Sequence, residues 1–101
     1  MSLVLCCQLW AHPGQEAALV DYEDHVLALL PDHKATLVSR VRSDGSEGHP
    51  LEIQVIEFPS QAELDGYLAD PRRTALGVLR DAAVARTELF PVETKARDAG
   101  W

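Results

Sequence analysis

The chain has 101 residues, 47% of them apolar and 25% charged, with 9 basic against 16 acidic side chains and a net charge of −7. That length accommodates one domain of roughly 100 residues with a thin core, so association with a second copy is expected. The acidic balance excludes nucleic acid and anionic membranes as partners, because both require a basic surface.

The chain opens with an apolar run, Leu3-Val4-Leu5-Cys6-Cys7-Gln8-Leu9-Trp10, read as a first strand. It lacks a basic flank and is too short to span a bilayer, so it fits neither a signal peptide nor a membrane helix. Cys6 and Cys7, the only cysteines, point to opposite faces of such a strand and have no metal-ligand spacing, which suits a reducing, cytoplasmic location. Ala11-His12-Pro13-Gly14 forms a turn, and a helix is predicted over about residues 14–30, with Pro31 as its stop. Its apolar positions Ala18, Leu19, Tyr22, Val26, Leu29 and Leu30 keep helical spacing. Residues 35–42 and 51–58 alternate as strands and form a hairpin around the turn-rich loop 43–50. Ser60-Gln61-Ala62-Glu63 matches a capping box, and Asp70-Pro71 supplies a second helix start, so two short helices are predicted between 60 and 82. Residues 84–92 return to strand character. The single domain is expected over 1–93, with a flexible tail over 94–101.

The order β-α-β-β-α-β predicts an α+β, ferredoxin-like antiparallel sheet of strand order 4-1-3-2. Alternation assigns Leu3, Leu5, Cys7, Leu9, Leu37, Val41, Leu51, Ile53, Val55 and Leu89 to the face under the helices. The other face is expected to carry Val4, Cys6, Trp10, Val38, Ile56, Phe58, Val84 and Phe90, among Gln8, Arg40, Arg42, Glu52, Gln54, Arg86 and Glu88. So much apolar surface demands a cover, and a homodimer through this face, bearing Val38, Ile56, Phe58 and Phe90, is the simplest.

Val55-Ile56-Glu57-Phe58-Pro59-Ser60, followed by Leu64, Tyr67, Leu68 and Asp70-Pro71, resembles the dimeric α+β barrel superfamily over roughly residues 2–93. That superfamily includes antibiotic-biosynthesis monooxygenases and stress-responsive barrel proteins. The resemblance implies two sheets closing into a barrel across a dimer, with a pocket between helices and sheet in each subunit. In the monooxygenase branch it implies cofactor-free oxidation of a small aromatic or enolic substrate. The Asn of the haem-degrading branch has no counterpart, because the chain contains no Asn.

His25 is the candidate catalytic base, on a stripe with Ala18, Tyr22 and Leu29 and with Asp21 one turn before it; the plainer reading is a half-buried helix residue. Trp10, Tyr22 and Tyr67 are the candidate substrate-binding residues, or else core and interface anchors. His12 could reach a pocket mouth and is otherwise a solvated loop histidine, His33 and His49 carry no partner spacing, and Arg40, Arg42 and Arg86 could bind an anionic substrate but are expected to pair with Glu52 and Glu88 across strands or across the dimer. Asp21, Asp24 and His25 alone do not complete a metal site, and P-loop, dinucleotide and nucleophile-elbow motifs are absent, so no metal, haem or nucleotide is expected. Three function classes follow: a small-molecule oxygenase, a non-catalytic ligand-binding barrel, or a stress-associated dimer with a filled core.

Overall fold

A computed structural model describes residues 2–94. Except for Thr94, the expected C-terminal tail lies outside the described residues. Strand β1 runs from Leu3 to Ala11 and ends at a turn where Gly14 takes the left-handed conformation that a side chain would resist. Helix α1, Glu16–Leu27, buries Leu19, Tyr22, Glu23, Val26 and Leu27. It is shorter than predicted because Pro31 has no N–H to donate to the Leu27 carbonyl, and the chain tightens into a 3-10 turn over Leu30–His33.

Strands β2 (Thr36–Arg42) and β3 (Glu52–Phe58) make the hairpin. Its loop contains a short 3-10 turn and is tethered by the Trp10 indole, whose Nε1 donates to the Gly48 carbonyl at 2.8 Å. Ser60 caps α2 (Gln61–Leu68), accepting from the Ala62 N–H and donating its hydroxyl to Glu63. Asp70 caps α3 (Pro71–Thr74) by accepting from the Arg72 N–H at 2.9 Å. A further break precedes α4 (Gly77–Ala83), so three short helices stand where two were predicted. Gly77, a poor helix former, opens the third. Strand β4, Val84–Pro91, closes the element order.

The sheet is antiparallel, ordered β2-β3-β1-β4, which is the predicted ferredoxin-like arrangement. The helices cover one face, and the described chain spans 39 × 36 × 17 Å, the proportions of a sheet with one helical layer. The core falls in two clusters beneath that layer. One gathers Leu5, Leu27, Leu30, Ile56, Phe58, Leu64 and Tyr67, and the other Leu9, Leu19, Tyr22, Val26, Leu51, Ala83 and Val84.

The register corrects the predicted faces of β3. Leu3 pairs with Phe58, Leu5 with Ile56, Cys7 with Gln54 and Leu9 with Glu52, so all eight point toward the helices. Phe58 and Ile56, expected in the dimer seam, are 1% and 5% exposed inside the core, and Val84 is buried there as well. Ile53 and Val55 lie instead on the open face with Cys6 and Gln8. The alternation misleads because Glu52 and Gln54 are polar yet inward, which is tolerable only where hydrogen bonds satisfy them. In β2 the register steps from Leu37 opposite Ile56 to Ser39 opposite Val55, leaving Val38 as an extra residue. That bulge turns Arg40 and Arg42 toward the inner face opposite Gln54 and Glu52, and places Val41 outside.

Candidate functional site

Between the inner face of the sheet and the helices lies a cavity of about 70 Å³. Its floor is Leu5, Cys7 and Leu9 of β1 with Gln54, Ile56 and Phe58 of β3, and its roof is Glu23 and Val26 of α1 with Leu64 and Tyr67 of α2. An open cleft of about 480 Å³ adjoins it, and the two share Leu68, Arg73, Arg80, Thr87 and Leu89 as lining. Tyr22, Thr74, Gly77 and Asp81 complete the cleft. The broken run of α2, α3 and α4 therefore frames a mouth against the edge strand β4.

A polar network interrupts the apolar wall. The Gln54 amide Nε2 donates to Glu23 Oε1 at 2.7 Å and to Glu52 Oε1 at 2.9 Å. Arg40 then binds Glu52 through both Nε and Nη2, and reaches Asp24 through Nη1 at 2.6 Å. Glu52 is fully buried and Glu23 is 5% exposed. Burial pushes the Glu23 carboxyl above its ordinary range; the Gln54 hydrogen bond opposes that shift, Glu52 adds to it, and the charges of Arg73 and Arg40 oppose it. Glu23 is thus a buried, proton-exchangeable group in the wall of an otherwise mostly apolar cavity.

The other ionisable groups of the cavity behave differently. Burial, aided by the Glu23 charge, pushes the Cys7 thiol up to about 12, so it stays protonated at neutral pH. Tyr67 is pushed up to about 12 by burial and donates its hydroxyl to the Val26 carbonyl at 3.1 Å. Tyr22 is likewise shifted upward by burial. The Arg73 guanidinium lies 5.1 Å from the centre of the Tyr67 ring, in cation–π range, and its buried Nε has no hydrogen-bond partner. Tyr67 is braced from behind by an edge-on contact with His33, which itself meets Asp70 at 2.7 Å.

Of the four residues singled out from sequence, the structure brings two to this region. Tyr67 lines the cavity and Tyr22 the cleft. Trp10 projects from the opposite face of the sheet, stacked on the Arg86 guanidinium at 4.5 Å. His25 stands on the solvent side of α1, its side chain 62% exposed, with Nδ1 2.7 Å from the Asp21 carbonyl oxygen. The inward face of α1 is Leu19, Tyr22, Glu23, Val26 and Leu27, so of the α1 positions on the stripe drawn through Ala18, Tyr22, His25 and Leu29 only Tyr22 turns inward, while Ala18 and His25 face solvent. The cavity residues missed from sequence are Glu23, Gln54 and Arg73. Glu23 was findable, since it falls four residues after Leu19 and three before Val26. Gln54 was hidden by the face assignment, and Arg73 carries no local signal. Of the expected cross-strand ion pairs, Arg40–Glu52 forms, whereas Arg86 pairs with Glu88 along its own strand. Among the described residues, no three His, Cys, Asp or Glu side chains gather as a metal site requires.

No family model and no curated protein matches the sequence. Solved structures do match the fold, which places the chain in the ferredoxin-like α+β class. A candidate antibiotic biosynthesis monooxygenase from Caulobacter crescentus superposes with a TM-score of 0.74 at 13% identity, over 94% of this chain and 91% of that one. A dabb family protein with a ferredoxin-like fold from Mesorhizobium loti gives 0.66 at 15%, over 94% and 98%. A dimeric ferredoxin-like protein of unknown function from Bacteroides fragilis gives 0.68 at 11%, over 92% and 96%. At these identities the likeness is one of fold.

Proposed function

We propose that the chain works as a homodimer joined through the open face of the sheet, each subunit holding one small enolic or phenolic molecule in the cleft beside α3 and α4, its reactive end entering the cavity under α1 and α2. The observation that carries this reading is Glu23, a carboxyl group raised by burial and set in an apolar enclosure. A carboxylate of raised basicity takes a proton from a weak carbon or phenol acid better than an ordinary one. The Arg73 charge beside Tyr67 then favours the resulting anion. Support for the dimer comes from the uncovered face, where Val38 and Val41 are 49% and 53% exposed beside Ile53, Val55 and Phe90.

In its catalytic form the reading is a cofactor-independent monooxygenase. Once deprotonated, an activated CH2 group supplies its own electrons to O2; one oxygen atom becomes the product carbonyl and the other leaves as water. The protein's share is to take the proton, hold the anion and exclude solvent. The fold shared with the Caulobacter protein is compatible with this chemistry. A second reading, a non-catalytic ligand-binding barrel, is favoured by the lack of histidine among the cavity-lining residues. The cytoplasm suits two cysteines left as free thiols.

Oxygen uptake with anthrone and quinol substrates tests the choice. The catalytic reading expects uptake that falls by about 10²–10⁴-fold in Glu23→Gln. Saturable binding with no uptake by any substrate assigns the cavity to the non-catalytic reading.

A further inference from the structure

Resting on the reading of the cavity and its cleft as a small-molecule site, we infer that the ligand carries a carboxylate, held in the cleft by Arg73 and Arg80 while the tip of its apolar body enters the cavity, whose 70 Å³ is too small for a whole aromatic ring. The two guanidinium groups line both the cavity and the cleft, so they stand where one opens into the other. On a chain of net charge −7 most arginines have acids to spare, and their neighbours show it. Arg40 is shared by Glu52 and Asp24, and Arg72 by Asp70 and Asp32.

Arg73 and Arg80 depart from that pattern. Arg73, like Arg42, takes part in none of the ion pairs formed among the described residues; its charge acts on the buried Glu23 and on Tyr67, and its buried Nε lacks an acceptor at the junction of cavity and cleft. Arg80 has the adjacent Asp81 at 3.9 Å, a carboxylate 81% exposed, and donates to the Thr87 hydroxyl at 3.3 Å. A planar carboxylate satisfies such guanidinium donors two at a time, which a point charge or a neutral amide does not. Glu23 lines the cavity but not the cleft, so its charge repels the ligand's carboxylate toward the mouth and leaves the acidic C–H or O–H end facing inward. The two ends of the site thus define one orientation of one class of molecule: an aromatic or aliphatic acid, anionic end outward.

The test is a titration of the purified protein with benzoate, salicylate and hexanoate, and with the matching benzamide, salicylamide and hexanamide, followed by amide chemical shifts in two-dimensional NMR. At least one acid is expected to bind one per subunit, about tenfold or more tighter than its amide, with shifts at Tyr67, Arg73 and Thr87. Arg73→Gln and Arg80→Gln should each reduce that preference without changing amide affinity, and Arg73→Lys should retain part of it. Arg42→Gln, remote from the mouth, should leave it intact. Equal binding of acid and amide overturns the carboxylate assignment and leaves the cavity reading standing. Binding of neither overturns both. A preference that survives both glutamine variants puts the anion elsewhere and overturns the assignment. Should Arg73→Gln fail to fold, the wild-type acid–amide comparison and Arg80→Gln decide alone.

Discussion

Replacing Glu23 with glutamine separates what this residue does for stability from what it does for chemistry. The side chain is 5% exposed and its Oε1 accepts from Gln54 at 2.7 Å. Glutamine keeps the shape and that acceptor while removing the charge. The loss is the difference between a charge-assisted and a neutral hydrogen bond, about 1 kcal/mol, together with attraction to Arg73 and Arg40. The gain is relief of the burial penalty on a carboxylate, which amounts to several kcal/mol in a protein interior. Because the carboxyl is raised in the folded state, burial outweighs the favourable contacts, so the variant should be more stable than wild type at pH 7. For a domain this size each 1 kcal/mol gained raises Tm by about 4–8 °C. The sign with pH follows from linkage. A group whose folded pKa lies above its unfolded value contributes stability fully below the unfolded value, near 4.3 for glutamate, and that contribution is lost as pH rises through the folded value. The advantage of Glu23→Gln should therefore vanish near pH 4 and grow toward pH 8. Thermal melts across that range, at one fixed protein concentration because association shifts Tm, make the measurement. A variant less stable than wild type at pH 7, or a difference flat with pH, refutes the reasoning.

Ile53→Asp places a charge in the centre of the open face, between Gln8 and Val41, and should give a folded monomer by sedimentation with an unchanged far-ultraviolet spectrum; an intact dimer refutes the proposed seam. Arg40→Ala strips the cation from the fully buried Glu52 and should lower the unfolding free energy by about 3–5 kcal/mol in urea titrations. Cys7, with its thiol pushed up to about 12, should be alkylated by iodoacetamide at pH 8 roughly a thousandfold more slowly in the native state than after unfolding, as read by mass spectrometry.

The element order and the sheet topology were legible because they rest on signals that survive without tertiary context: turn clusters, proline stops, the Ser60 and Asp70 caps, and runs of strand character. The faces were less so. Parity in β3 is counted correctly only if Glu52 and Gln54 are recognised as buried, and nothing local says that a glutamine will bridge two carboxylates across strand and helix. In β2 the extra residue Val38 inverts the alternation partway along, an event set by pairing with β3 and invisible in β2 alone. The same rotation of viewpoint moved the candidate base. Helix α1 carries titratable groups at Asp21, Glu23, Asp24 and His25, and which of them turns inward depends on an angle of one residue's step. Histidine drew the eye by its chemistry, whereas position alone, between Leu19 and Val26, pointed to Glu23.

The division of residues 61–83 into three helices bears on how fast the proposed ligand would come and go. A four-residue helix such as α3 does not hold itself together, because a single turn fixes several dihedral angles for few hydrogen bonds. It persists through the Asp70 cap and the contact of Arg73 with Tyr67, both at its ends. Opening it disturbs no strand of the sheet, so the mouth can breathe at a frequency far above that of global unfolding. On the proposed reading of the cavity as a ligand site, residence time would then be set by this four-residue helix, and a substitution at Asp70 would change it both through the lost cap and through His33, which braces Tyr67.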